Sequence, residues 1–223
     1  ELSPQVVFCG ADRPAPYAAK EIRQLGSKGL RCRVITPKND FSVTVPALGG
    51  HMIYPVLMAC AIGERFGMTG EEMKAGIEAF VPTKMRMNVI HQGDITILDD
   101  AYNANPQSMR AAISVLADSR SAWKLAVLGD MFELGPYSPA LHTGVGEYLG
   151  KRKIDCLVAV GDQARYLAEG AQSAGMTAVY PCADKKAARE ILPGLIRPDS
   201  TILVKASRGM RMEELVDQLL ELT

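Results

Sequence analysis

From Met85 to the C-terminus the chain repeats one pattern, an aliphatic and β-branched run, a turn, and then an amphipathic helical stretch. The first run ends at Asp100 and its helix at about residue 119. Strands at 124–128, 156–160, 178–180 and 201–204 then alternate with helices at 139–152, 163–174, 184–192 and 212–222. Strands separated by helices cannot pair as hairpins, so this order predicts a parallel sheet wound with helices on both faces, an α/β doubly wound fold.

In such sheets ligands bind at the carboxyl ends of the strands. Three stretches fall there. Ile95-Thr96-Ile97-Leu98 ends in Asp99-Asp100, and after a polar loop Asn105 and Pro106 read as N-cap and first residue of a helix. Met109, Ala112, Ile113 and Leu116 share one face of that helix. Successive strand residues face opposite ways, so only one of Asp99 and Asp100 need enter the site. Gly129-Asp130-Met131-Phe132-Glu133-Leu134-Gly135 follows the next strand, beside Asp100 if the two strands are neighbours. Its acids suit a substrate ammonium, although a glycine-flanked loop with solvated acids has the same sequence. Lys205-Ala206-Ser207-Arg208 ends the last strand and offers a point charge for a carboxylate or phosphate with a hydroxyl beside it. Asp162, after Gly161, reads as the N-cap of its helix, and His142 as a packed helix residue without a catalytic role.

The first third is different. A strand at 5–10 precedes a polar segment at 17–25 that has no clear pattern. Alternating runs at 31–36 and 41–45 across Pro37-Lys38-Asn39-Asp40 predict a hairpin. An unusually apolar helix at 54–66, expected to be central to its domain, and a second helix opened by the capping box Thr69-Gly70-Glu71-Glu72 follow. Val81-Pro82-Thr83-Lys84 breaks the pattern, which puts the boundary between a domain at 1–84 and another at 85–223.

Lys plus Arg and Asp plus Glu both total 25, so no basic excess points to nucleic acid. Five scattered cysteines without a CxxC pair fit free thiols in a reducing cytoplasm, and His51, His91 and His142 lack metal-site spacing. Residues 42–63 carry no charge, but Pro46, Gly49-Gly50 and Pro55 interrupt them, against a membrane span. No secretory signal pattern is present at the start, and Glu1 in place of Met suggests a fragment.

The motifs Asp99-Asp100-Ala101-Tyr102-Asn103-Ala104-Asn105-Pro106, Gly129-Asp130-Met131-Phe132-Glu133-Leu134-Gly135 with His142, and Lys205-Ala206-Ser207-Arg208 together resemble the C-terminal, Rossmann-like domain of the Mur ligase family. The Tyr102-Asn103-Ala104-Asn105 version is similar to that of members that join D-alanyl-D-alanine to UDP-MurNAc-tripeptide. The resemblance implies ATP and Mg2+ as cofactors, the tripeptide and dipeptide as partners, and residues 1–84 as the end of the central ATPase domain. It implies nucleotide binding by Arg86, Asp100, Asn103 and His51, with Arg86 and Asp100 on the ribose. Asp130, Glu133, Lys205 and Ser207 fall to the substrate side. No catalytic nucleophile or metal ligand falls within the chain. The family usually has glycine at the place of Ala206, and a polar residue and an asparagine where Met52 and Pro55 stand. No Gly-x-x-Gly-Lys-Ser/Thr loop occurs, so the expectation is an inactive C-terminal fragment of an ATP-dependent ligase. Another amino acid ligase of the superfamily, or a degenerate binding module, remain as alternatives.

Overall fold

The computed structural model describes residues 6–222, which divide into two compact units at Pro82/Thr83.

The first unit holds a four-stranded sheet in the order β1-β2-β3-β4, formed by β1 (Cys9–Ala11), β2 (Tyr17–Gln24), β3 (Leu30–Ile35) and β4 (Asp40–Val45). β3 and β4 form the expected hairpin. The segment at 17–25 without a sequence signal is β2. A polar strand has little hydrophobic alternation to read, and a register shift between Lys20 and Arg23 interrupts what there is. Gln5, where the first strand was expected to begin, lies outside the described residues, and the strand there is Cys9–Ala11.

Helix α1 (Ile53–Arg65) buries Ile53, Val56, Leu57 and Cys60 against the sheet, and α2 (Gly70–Glu78) opens on the capping box predicted at Thr69 and Glu72. α1 packs into the core of its unit but is not buried all round. Tyr54, Met58 and Ile62, with Phe66 at the C-cap, recur every fourth residue along its exposed side. Glu64, buried on this helix, is satisfied by Tyr17, Thr36 and Asn39. Those bonds hold its carboxyl below the usual range against the opposing pull of burial.

The second unit is a six-stranded sheet in the order β5-β6-β10-β7-β8-β9. Its strands are β5 (Asn88–Gln92), β6 (Ile95–Asp99), β7 (Trp123–Gly129), β8 (Cys156–Val160), β9 (Val179–Cys182) and β10 (Ser200–Lys205). The run expected as one strand up to Asp100 is a hairpin. Gly93 at φ +53 turns the chain, and β5 pairs antiparallel with β6 while the other five strands are parallel. Between the parallel strands run α3 (Pro106–Ala117), α4 (Ser138–Gly150), α5 (Ala164–Ser173) and α6 (Lys185–Leu195), and α7 (Glu213–Glu221) follows β10. Asn105 caps α3 with Pro106 in its first turn, as read from sequence. α6 and α7 pack on the face that carries Ile97, Val127, Val158 and Ile202. Leu98, Leu128, Leu157 and Leu203 alternate to the other face, where α3 and α5 meet the sheet.

All five cysteines are free thiols, and burial pushes Cys32 and Cys60 up to about 11 and Cys156 to about 12, which leaves them protonated and unreactive. Among the described residues no helix is long and apolar enough to cross a membrane.

Candidate functional site

Strand β10 is inserted between β6 and β7, so the loops following these three strands lie side by side at the carboxyl edge. Asp100 and Asp130 are therefore not on adjacent strands. The condition for placing them side by side, that the two strands be neighbours, is not met, because the last strand, far away in sequence, fills the place between them.

Asp99 and Asp100 part as strand alternation requires. Asp99 is buried, and its Oδ1 accepts from Ala101 N at 3.2 Å. Burial pushes its carboxyl up, and the charges of Asp100, Glu213 and Asp217 add to the effect. Asp100 turns toward β10. Its Oδ2 is 2.6 Å from Lys205 Nζ, and its Oδ1 accepts from Met87 N at 3.0 Å. Lys205 Nζ also donates to Asn103 O at 2.8 Å, and its side chain is only 3% exposed.

The Met87 contact brings the start of this unit to the same place. Arg86 lies between Met85 and Met87, both at positive φ, a conformation non-glycine residues adopt at a cost. Tyr102 N donates to Met85 O at 3.0 Å, and the exposed Arg86 guanidinium stacks 4.2 Å from the centre of the Tyr102 ring. Stacking on a ring face leaves in-plane N–H donors available. Asn103 is exposed, its Oδ1 accepting from Ala104 N at 2.8 Å.

Ser207 binds the three loops together. Its amide donates to Asp130 O at 3.0 Å, its hydroxyl accepts from Phe132 N at 2.8 Å, and the same hydroxyl donates to Ala104 O at 3.4 Å. It is buried, as is Ala206, whose methyl lies where a Cβ on Gly129 would come within 2.7 Å. The extra methyl at Ala206 is thus absorbed by Gly129 on β7.

Asp130 is buried too. Its Oδ1 accepts from Gln163 N at 3.0 Å and Ala164 N at 2.7 Å, so it caps α5, the role that local sequence gave to Asp162. A Cβ on Gly161, at φ +117, would lie 2.6 Å from the Asp130 carboxyl carbon, so glycine is required for this approach. Replacing Asp130 with alanine orphans both amides and is expected to lower stability by about 1–2 kcal/mol, measured by urea unfolding. Glu133, by contrast, is exposed at the loop tip with φ +63. His142, given no catalytic role from sequence, reaches this loop, with its Nε2 accepting from Met131 N at 2.9 Å. Nothing in the local sequence signals that contact, because residues 131 and 142 belong to different elements. His51 is exposed in the turn before α1, in the first unit.

Among the described residues no group of three or more His, Cys, Asp or Glu side chains is placed to hold a metal ion.

The chain is 32% identical over 210 residues to the UDP-N-acetylmuramoyl-tripeptide–D-alanyl-D-alanine ligase of Haemophilus influenzae, and 35% identical over 209 residues to that of Bacillus subtilis. These alignments take in 91% and 92% of this chain but 44% and 45% of the relatives, so it spans under half their length. A crystal structure of MurF from Acinetobacter baumannii superposes with a TM-score of 0.87 at 32% identity, over 95% of this chain and 46% of that one. MurF from Thermotoga maritima in complex with ADP, at 21% identity and a TM-score of 0.78, shares the fold. The model of the Mur ligase glutamate ligase domain matches residues 85–208, which carry the three loops just described, and the chain belongs to the Mur ligase family.

Proposed function

We propose that this chain is the C-terminal portion of an ATP-dependent ligase that joins D-alanyl-D-alanine to UDP-MurNAc-tripeptide. Its first unit is read as the end of the central ATP-binding domain and its second as the C-terminal domain. The observation that carries the reading is the convergence of Arg86, Tyr102 and Asp100 at the carboxyl edge, in a chain with the relatives named above.

The reaction proposed is transfer of the ATP γ-phosphoryl group to the terminal carboxylate of the tripeptide. The dipeptide amine then attacks the acyl phosphate and displaces phosphate, leaving an amide and ADP. Mg2+ supplies charge neutralisation on the phosphates, and its ligands and the phosphate loop are assigned to sequence that this chain does not contain.

Within the chain, Asp100 and Arg86 are assigned to the ATP ribose. Each Asp100 oxygen already takes one donor but keeps acceptor capacity for a hydroxyl, and Arg86 offers donors from its stack. Asn103 and, in the first unit, His51 are each assigned to nucleotide contacts by resemblance to the family motifs alone. Glu133 is assigned to the dipeptide ammonium, because it is the exposed carboxylate of its loop. Asp130, Lys205 and Ser207 are all buried, and the reading adopted for them is that they hold the edge from behind rather than meet the substrate directly.

Two results test this. The isolated chain is expected to release no phosphate from ATP with both substrates present, and turnover by it would overturn the reading. In the full-length ligase, Asp100→Ala is expected to raise the KM for ATP about tenfold, the loss of hydrogen bonds to a charged acceptor. Melting of the variant is followed in parallel, and an unchanged KM removes the ribose assignment.

A further inference from the structure

His142 sits on α4, wholly buried, and its two ring nitrogens have distinct partners. Nδ1 lies 2.8 Å from the Ser138 carbonyl oxygen, which can only accept, so Nδ1 carries the proton. Nε2 is then the acceptor for Met131 N. A neutral imidazole satisfies both contacts. An imidazolium satisfies only the first, because its Nε2 proton would face the Met131 N–H.

The Met131 contact is one of three that pin consecutive residues of the loop. Asp130 O accepts from Ser207 N, Met131 N is held by His142, and Phe132 N donates to Ser207 Oγ. The chain leaves this clamp directly into Glu133, an exposed acid held at positive φ. Strain of that kind persists only where neighbouring contacts over-determine the backbone.

We propose that His142 is a positioning residue for Glu133, holding the loop in its substrate-facing form as a neutral imidazole and releasing it on protonation. The proposal rests on the assignment of Glu133 to the amine substrate.

The surroundings fit a neutral ring. Burial holds the imidazole below its ordinary value of about 6.5, against the Ser138 carbonyl and the Asp130 carboxylate, which both favour the cation. Asp130 is the charged group acting on the ring from the loop after β7, and Asp162 acts in turn on Asp130. Arg165 and Glu169 of α5 and Arg110 of α3 are exposed. Because the folded value is depressed, the clamp is complete above about pH 6.5 and is lost as pH falls through the lower, folded value.

Two measurements separate the clamp from the reading on which it rests. In the 223-residue chain, NMR follows His142 titration and the exchange protection of the Met131 amide. Protection is expected to fall at least tenfold as the ring protonates. In His142→Gln, whose amide oxygen is an acceptor that does not titrate, it is expected to stay flat with pH. Met131 protection indifferent to His142 protonation overturns the clamp. In the full-length ligase, the KM for D-alanyl-D-alanine is expected to rise in acid for the natural enzyme. It is expected to be raised about tenfold at pH 8 in His142→Phe with a smaller change in kcat, and to be largely rescued in His142→Gln, which keeps only the pH dependence that the substrate amine itself imposes. A coupled Met131 amide with a flat KM overturns the Glu133 assignment instead. A rise of KM in acid as large in His142→Gln as in the natural enzyme overturns the positioning role.

Discussion

Alanine at Gly170 is expected to destabilise the second unit by about 3 kcal/mol, at the upper end of what overpacking costs. Helices α4 and α5 touch backbone to backbone, through glycines on both. A Cβ on Gly170 would lie 2.2 Å from Thr143 O and 3.0 Å from Glu147 N, and one on Gly146 would lie 1.9 Å from Leu167 O. Backbone cannot rotate away as a side chain can, so the helices must separate or the turns distort. Gly150 repeats the contact one turn on, with Ala171 O at 2.8 Å. Gly144→Ala, two residues from Gly146 on the same helix, is the control. Its only near neighbour is the mobile end of Arg110 at 3.4 Å, so it is expected to stabilise by about 0.5–1 kcal/mol through helix propensity. The sole tryptophan, Trp123, begins β7 and donates to Leu195 O at 3.0 Å, so its fluorescence in urea reports this unit selectively. Equal effects at Gly144 and Gly170 would refute the close-contact account.

That seam was invisible in the sequence, where the same glycines look like weak points of two ordinary helices. The strand and helix order was legible because each element writes its burial into a local period. The Asn105 cap of α3 and the Thr69 box of α2 were legible because their partners lie three residues away. What could not be read were contacts joining distant stretches. Strand β10 enters between β6 and β7, which separates the acids of two loops and brings Lys205 to Asp100 across 105 positions. The cap of α5 comes from Asp130 rather than from the adjacent Asp162 for the same reason. The family motifs gave the positions of Lys205 and Ser207 but not their direction. Both side chains point into the protein, and only the packing of three loops fixes that.

Lys205→Met is expected to lower stability by about 3 kcal/mol or more, because it leaves the Asp100 carboxylate, 15% exposed, without its cation. Asp100→Asn strands the ammonium instead, with a comparable expected cost. The double variant removes both charges, so its loss is expected to fall short of the sum of the two single losses by at least 1 kcal/mol. High salt is expected to leave the coupling largely intact, since a buried pair is poorly screened. The cycle also decides between two roles for this lysine. A residue that meets substrate would cost affinity while leaving the empty protein's stability unchanged. A residue that holds Asp100 and the Asn103 carbonyl would cost stability first, and ATP affinity through Asp100 second. Additive stability losses in the ligand-free protein, together with weakened dipeptide binding, would return Lys205 to the substrate and leave Asp100 positioned by Met87 N alone.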